Sequence, residues 1–210
     1  MTKTAPPPVD AADLEQDMLA MGRRARAAAR QLALASPEAR TRAISGMAKA
    51  LRARAADVLK ANAADQDAAR EKGMDSAMLD RLGLDEARLE GVARALDSIA
   101  AIPDPVGAET ARWTPENGLD IARVRTPIGV LAIIYESRPN VTADAAALAV
   151  RAGNAVILRG GSECLRSGAL KEALGYAGGP VVIHADDLSL RDTVVETRGP
   201  HNIRPKRPKR

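Results

Sequence analysis

The sequence predicts an α/β fold: an N-terminal helical layer over residues 10–100, then the start of a doubly wound, Rossmann-like parallel sheet. Three observations carry this. Apolar residues through the first half recur at i, i+3 and i+4, the spacing that places them on one helix face. Two continuous apolar runs, GVLAIIY at 129–135 and NAVILR at 154–159, have the texture of strands covered on both faces. The segment between them, Val141–Arg151, is Ala-rich and closes at Gly153, so strand, helix and strand follow one another as a βαβ unit.

Each element has a local reason. Met1–Val9, with three prolines, reads as a disordered leader. Asp10 to about Ala35 is rich in the helix formers Ala, Leu, Met and Arg, with Leu14, Met18, Met21, Ala25 and Ala28 on one face. Ser36-Pro37-Glu38 restarts the chain as a cap, a first helical residue and an acid at the positive helix end. Ile44, Met47, Ala48, Leu51, Ala55, Val58 and Leu59 then keep the helical pattern. A third helix is expected from about Ala63 to Lys72, stopped by Gly73 in a left-handed cap. A short helix covers Ser76–Leu82, and another long one runs from near Asp85 to just before Pro103 with Leu89, Val92, Leu96 and Ile99 inward. Thr110–Trp113 and Leu119–Arg125 read as two strands joined by the turn-prone PENG, forming an arm within 108–126. Past Gly168 the pattern weakens. PVVIH at 180–184 suits one short strand, and residues 169–210 are expected to be a divergent, poorly ordered tail.

Composition narrows the function. The chain is 46% hydrophobic and 28% charged, the balance of a globular protein rather than a disordered one. Phe is absent and Trp113, Tyr135 and Tyr176 are the only aromatics, so the core must be aliphatic. Of the net charge of +4, the five cations of Arg204–Arg210 more than account for the excess. A basic face with aromatics for base stacking is not evident, so no nucleic-acid partner is expected and the basic tail is read as a solvated terminus. One cysteine, Cys164, allows no internal disulfide and no cysteine-based metal site, while His184 and His201 lack ligand-spaced partners; no metal is expected. No export signal or membrane-spanning run is seen, which makes the cytoplasm the default location.

Two segments could carry chemistry. Arg159-Gly160-Gly161-Ser162-Glu163 follows a buried strand and precedes a helix, where glycines permit close approach of a ligand and helix N–H groups favour phosphate. Arg159 adds a forked, fixed charge there. A plain strand-to-helix turn is the competing reading, because the segment is neither GxGxxG nor a P-loop. Tyr135–Thr142 places Glu, Arg, Asn and Thr in the loop after the first strand, at the same sheet edge. Asn140 can cap a helix beginning at Val141, or donate its amide to a developing oxyanion. Cys164 suits a small packing residue better than a nucleophile.

The segments YESRPNVT, GNAVILRGGSE and the upstream LKANAADQDAAREKGMDSAMLDRL together resemble γ-glutamyl phosphate reductase, in the aldehyde dehydrogenase superfamily, over about Leu14 to Gly168. The resemblance implies an aldehyde dehydrogenase-like fold and NADPH-dependent reduction of L-glutamyl 5-phosphate to L-glutamate 5-semialdehyde in proline biosynthesis. In that chemistry a cysteine thiolate attacks the acyl phosphate, phosphate leaves, and hydride reduces the thioester. Asn140 matches the superfamily's oxyanion asparagine. Arg159 matches the position that faces the adenosine ribose and its 2′ substituent, which suits NADP. Gly160, Gly161, Ser162 and Glu163 match the same cofactor pocket, and Arg138 is a candidate for the substrate's phosphate or carboxylate.

The departures shape further expectations. The family's cysteine-bearing catalytic segment, its later glycine-rich segment and its C-terminal return to the oligomerisation sheet have no counterpart after Gly168. Residues 10–168 are therefore expected to form a partial, truncated cofactor-binding domain, inactive alone, in a family that forms homo-oligomers; association here is expected to be ill-defined. Two rival classes stand beside this reading: a non-catalytic module that binds dinucleotide or full-length subunits, and a partner- or nucleic-acid-binding protein that uses its basic tail.

Overall fold

The computed structural model describes residues 11–135, 138–159 and 194–195. In chain order these form α1 (Ala11–Leu34), α2 (Pro37–Ala53), α3 (Ala55–Glu71), α4 (Ser76–Leu82), α5 (Glu86–Ala101), β1 (Glu109–Trp113), β2 (Ile121–Val124), β3 (Val130–Ile134), α6 (Pro139–Arg151), β4 (Ala155–Arg159) and β5 (Val194–Val195). The expected leader, the turn at 160–163 and the strand at 180–184 lie outside the described residues.

Helix boundaries follow local chemistry. Ser36 Oγ accepts the N–H of Ala39 at 3.2 Å and Pro37 opens α2, as the sequence predicts. Asp75 and Asp85 cap α4 and α5 by accepting from Met78 N at 2.9 Å and Arg88 N at 2.7 Å. Gly73, at φ +74°, ends α3, and Met74 N reaches back to Ala69 O at 3.1 Å, satisfying a carbonyl the helix leaves open.

Two helical expectations are corrected. The apolar pattern carries the second helix to Leu59, but the chain turns at Arg54 (φ −109°, ψ 20°) and α3 begins at Ala55. Tertiary bonding directs α3: buried Asn62 donates to Leu82 O at 2.9 Å and accepts from Leu84 N at 2.8 Å, holding the helix against the α4–α5 connection. On α1 the buried stripe is Ala25, Ala28, Ala29 and Leu32, whereas Met18 is exposed.

The core is formed where α2 packs on α5 and α5 on α6, with β3 and β4 beneath. Ile44, Met47, Leu51, Leu96 and Leu158 are fully enclosed. Burial of each such side chain is worth about 1.5–3 kcal/mol. Interlocking alanines of α6 (Ala143, Ala146, Ala147) let it approach closely, as an aliphatic core requires. Two arginines are buried among them. Arg40, 2% exposed, pairs with Asp104 at 2.8 Å and donates to the carbonyls of Leu32 and Ala35. Arg151 bonds Thr41 Oγ1 at 2.7 Å and the carbonyl of Ile102, fastening the end of α6 to α2 and to the end of α5.

β3 and β4 are parallel and adjacent, in register from Val130↔Ala155 to Ile134↔Arg159, with α6 crossing between them. This is the predicted βαβ unit. Asn154 pins its base by accepting from Gly129 N at 2.8 Å. The expectation that both runs are covered on two faces holds for β4 but not β3, where Ala132 and Ile134 are exposed. Among the described residues β3 is the edge strand of its sheet, and the face that Ala132 and Ile134 share is open. β5, in a stretch with no sequence pattern, adds to β4 in parallel through Val156↔Val194 and Ile157↔Val195. β1 and β2 pair antiparallel as a separate ribbon, matching the expected arm.

Candidate functional site

The register of the βαβ unit decides where the candidate residues lie. Ile134 and Arg159 are partners at the carboxyl ends of β3 and β4. The chain therefore leaves β3 toward Arg138 and α6 at the same edge of the sheet as it leaves β4 at Arg159. Ligands of open α/β sheets sit outside this edge. Gly160, Gly161, Ser162 and Glu163 lie outside the described residues, so the geometry of the site is that of Arg138, Asn140 and their neighbours.

α6 begins at Pro139, two residues earlier than the sequence suggests, and this changes the role of Asn140. Proline fixes φ for a first helical turn and has no N–H to leave unpaired, so it nucleates the helix there. The cap position falls to Arg138 (φ −134°, ψ 90°), which makes no side-chain cap bond. Asn140 is consequently inside the first turn, with an exposed side chain, and does not cap the helix. Its Nδ2 donates to Asp144 Oδ2, one turn on, at 3.4 Å. Thr142, placed in the loop by the sequence reading, is instead buried in α6, where its Oγ1 meets the Tyr135 hydroxyl at 2.5 Å and ties the end of β3 to the helix.

Arg138, Pro139, Asn140 and Asp144 form one wall of an open cleft of about 440 Å³. The opposite wall comes from α4, the α4–α5 connection and α5, with Asp80, Arg81, Gly83, Leu84, Arg88 and Val92 among its residues. Arg88 is fixed in place: it donates to the carbonyls of Asp80 at 2.6 Å and Gly83 at 3.0 Å, and to Asp80 Oδ1 at 2.6 Å. The bond to the Asp80 carboxylate raises its pKa above the ordinary value. Burial pushes the Asp144 carboxyl above its usual range, opposed by the bond from Asn140. With Asp80 engaged by Arg88, the cleft presents the cations Arg81 and Arg138 and the Asn140 amide, with the Asp144 carboxyl held against that amide.

The sequence reading found Arg138 and Asn140 through their neighbouring motif. It missed Asp144 and the Asp80–Arg88 wall. The four-residue spacing of Asn140 and Asp144 is a visible helical signal; the opposite wall has none, since it comes from a separate helix pair. Among the described residues there is no cluster of His, Cys, Asp and Glu suited to a metal ion, and no helix long and apolar enough to cross a membrane.

No family model matches the chain. Similarity to individual proteins is extensive. The chain is 66% identical over 150 residues to a γ-glutamyl phosphate reductase of Caulobacter vibrioides, covering 71% of this chain and 36% of that one. It is 60% identical over 167 residues to that of Hyphomonas neptunium, covering 80% and 38%. The chain thus spans a little over a third of the length of these curated relatives. Among solved structures, γ-glutamyl phosphate reductase of Thermotoga maritima superposes with a TM-score of 0.76 at 37% identity, over 84% of this chain and 41% of that one. The enzyme of Saccharomyces cerevisiae gives 0.76 at 30%, over 85% and 46%. An NAD-dependent benzaldehyde dehydrogenase of Corynebacterium glutamicum, at 20% identity and a TM-score of 0.56 over 75% of this chain and 32% of that one, shares the fold.

Proposed function

Because this chain is related to the γ-glutamyl phosphate reductases and carries part of the aldehyde dehydrogenase fold, we propose that it supplies the cofactor edge and oxyanion donor for NADPH-dependent reduction of L-glutamyl 5-phosphate to L-glutamate 5-semialdehyde, a step of proline biosynthesis. The observation that supports this reading is the parallel register Ile134↔Arg159, which puts the ends of the two strands that lead into the candidate segments at one sheet edge.

The residues fit a dinucleotide at that edge. β4 ends on Arg159, whose guanidinium is suited to pair with a 2′-phosphate; Gly160 and Gly161, which follow, have no side chain to hold a ligand away, and Ser162 and Glu163 come next as polar groups for the same pocket. NADPH, when bound, supplies the hydride. Two of the chain's own groups would act on the substrate. Asn140, exposed on the cleft wall at the positive end of α6, has a second amide N–H to donate to the oxyanion of the substrate's acyl carbon. Arg138, beside it, holds an anionic end of the substrate.

The test is calorimetric titration of the 210-residue chain with NADP and NAD, repeated in Arg159→Ala. The wild type should bind NADP the more tightly, and the variant should lose that preference. An unchanged ratio in the variant would remove Arg159 from the cofactor site.

A further inference from the structure

We infer that Asp144 determines which way the Asn140 amide faces, making it a positioning residue for the oxyanion donor. Its catalytic meaning rests on the reading of Asn140 given above; its geometry does not.

The two ends of an asparagine amide are nearly the same size and chemically opposite: Oδ1 only accepts, Nδ2 donates two hydrogen bonds. Oxyanion stabilisation needs the donor end. A side chain exposed on a cleft wall is not oriented by packing, so a neighbouring group has to choose. On α6 that neighbour is Asp144, whose Oδ2 lies 3.4 Å from Asn140 Nδ2 at the four-residue spacing that stacks side chains along one helix face. An ionised carboxylate is acceptor-only. It attracts Nδ2 and repels Oδ1, so the flipped amide is disfavoured, and one Nδ2 hydrogen stays free for a ligand.

Among the described residues, the other charged groups of the cleft do not compete for this role. Arg81 of α4, Arg88 of α5 and Arg138 before α6 are donors and cannot accept the amide, and Asp80 of α4 is engaged by Arg88 at 2.6 Å. Burial disfavours the charge on Asp144, and the Asn140 bond partly offsets it. Protonation of Asp144 would make the carboxyl a donor as well as an acceptor and release the orientation.

The experiment follows the side-chain amide signals of Asn140 by ¹H–¹⁵N NMR in the full 210-residue chain, assigned with Asn140→Asp, across a pH titration. The Asn140 pair should shift along one curve with its midpoint above the ordinary 3.8 of an aspartate. The shift should be lost in Asp144→Asn and restored, at a changed midpoint, in Asp144→Glu, with the backbone amides of α5 and α6 unmoved. Absence of titration in the wild type, or titration that survives in Asp144→Asn, would overturn the inference. If Asp144→Asn fails to fold, the wild type and Asp144→Glu still decide. No dinucleotide or substrate is present, so failure here is separate from failure of the NADP titration.

Discussion

Substituting Gly153 by alanine should destabilise the fold far more than the same change at Gly73, and the difference can be worked from the backbone. Both glycines have left-handed φ, +71° at Gly153 and +74° at Gly73. An L side chain there costs about 1–2 kcal/mol in either case. The entropic gain of Gly→Ala in the unfolded chain, about 0.4–1 kcal/mol, is also common to both and cancels in the comparison. Only the surroundings differ. A Cβ on Gly73 meets nothing within 4 Å, whereas on Gly153 it would lie 2.8 Å from Pro127 Cγ and 3.2 Å from Val106 Cγ2. Pro127 is a ring that cannot swing aside, so the segment entering β3 must move. Overpacking of this kind costs about 1–3 kcal/mol. Urea unfolding followed by helical circular dichroism measures it: with a slope of about 1–3 kcal/mol per molar urea, the Gly153→Ala midpoint should fall below that of Gly73→Ala by roughly 1 M. Equal midpoints would show that the α6–β4 turn does not pack against the entry to β3 as described.

Arg40→Met leaves Asp104, itself 10% exposed, without its cation, and should cost about 3 kcal/mol, read as a lowered thermal midpoint. A 210-residue polypeptide of this sequence, given glutamate semialdehyde, phosphate and NADP⁺, should form no NADPH, because its one thiol, Cys164, is five residues from Arg159 and within about 18 Å of it even fully extended; that ties the thiol to the adenosine end, and turnover abolished by Cys164→Ser would refute this. The β1–β2 ribbon carries half-exposed Trp113 and Val124 and an unpaired edge on each strand among the described residues, so sedimentation should show concentration-dependent association; a monomer at all concentrations would count against it.

Much of the architecture was legible because its signals are local. Ser36-Pro37, Asp85 and Gly73 act on their own backbone neighbours, and the runs at 129–135 and 154–159 declare strands whose Ala-rich crossover leaves a parallel pairing. The break at Arg54 was not legible: no Gly or Pro stands there, the helical period continues through it, and the direction of α3 depends on Asn62 bonding residues twenty and twenty-two positions away. The start of α6 was misjudged for a smaller reason. Asn140 is a good cap in general, but Pro139 is a better first helical residue, and it pulled the helix start past the asparagine. The same shift put Asn140 one turn from Asp144. Half of the site was thus visible as a motif, while the Asp80–Arg88 wall depends on how α4 and α5 fold back, which no local pattern encodes.

The central claim, that the carboxyl edge of β3 and β4 faces NADP, is tested most directly by a backbone chemical-shift map of the chain with and without NADP. The account predicts that the largest changes fall at Ile134, Tyr135, Arg138, Asn140 and Arg159, the ends of the two parallel strands and the start of α6. Changes confined to the β1–β2 ribbon or to the outer faces of α1–α3, with that edge silent, would contradict it.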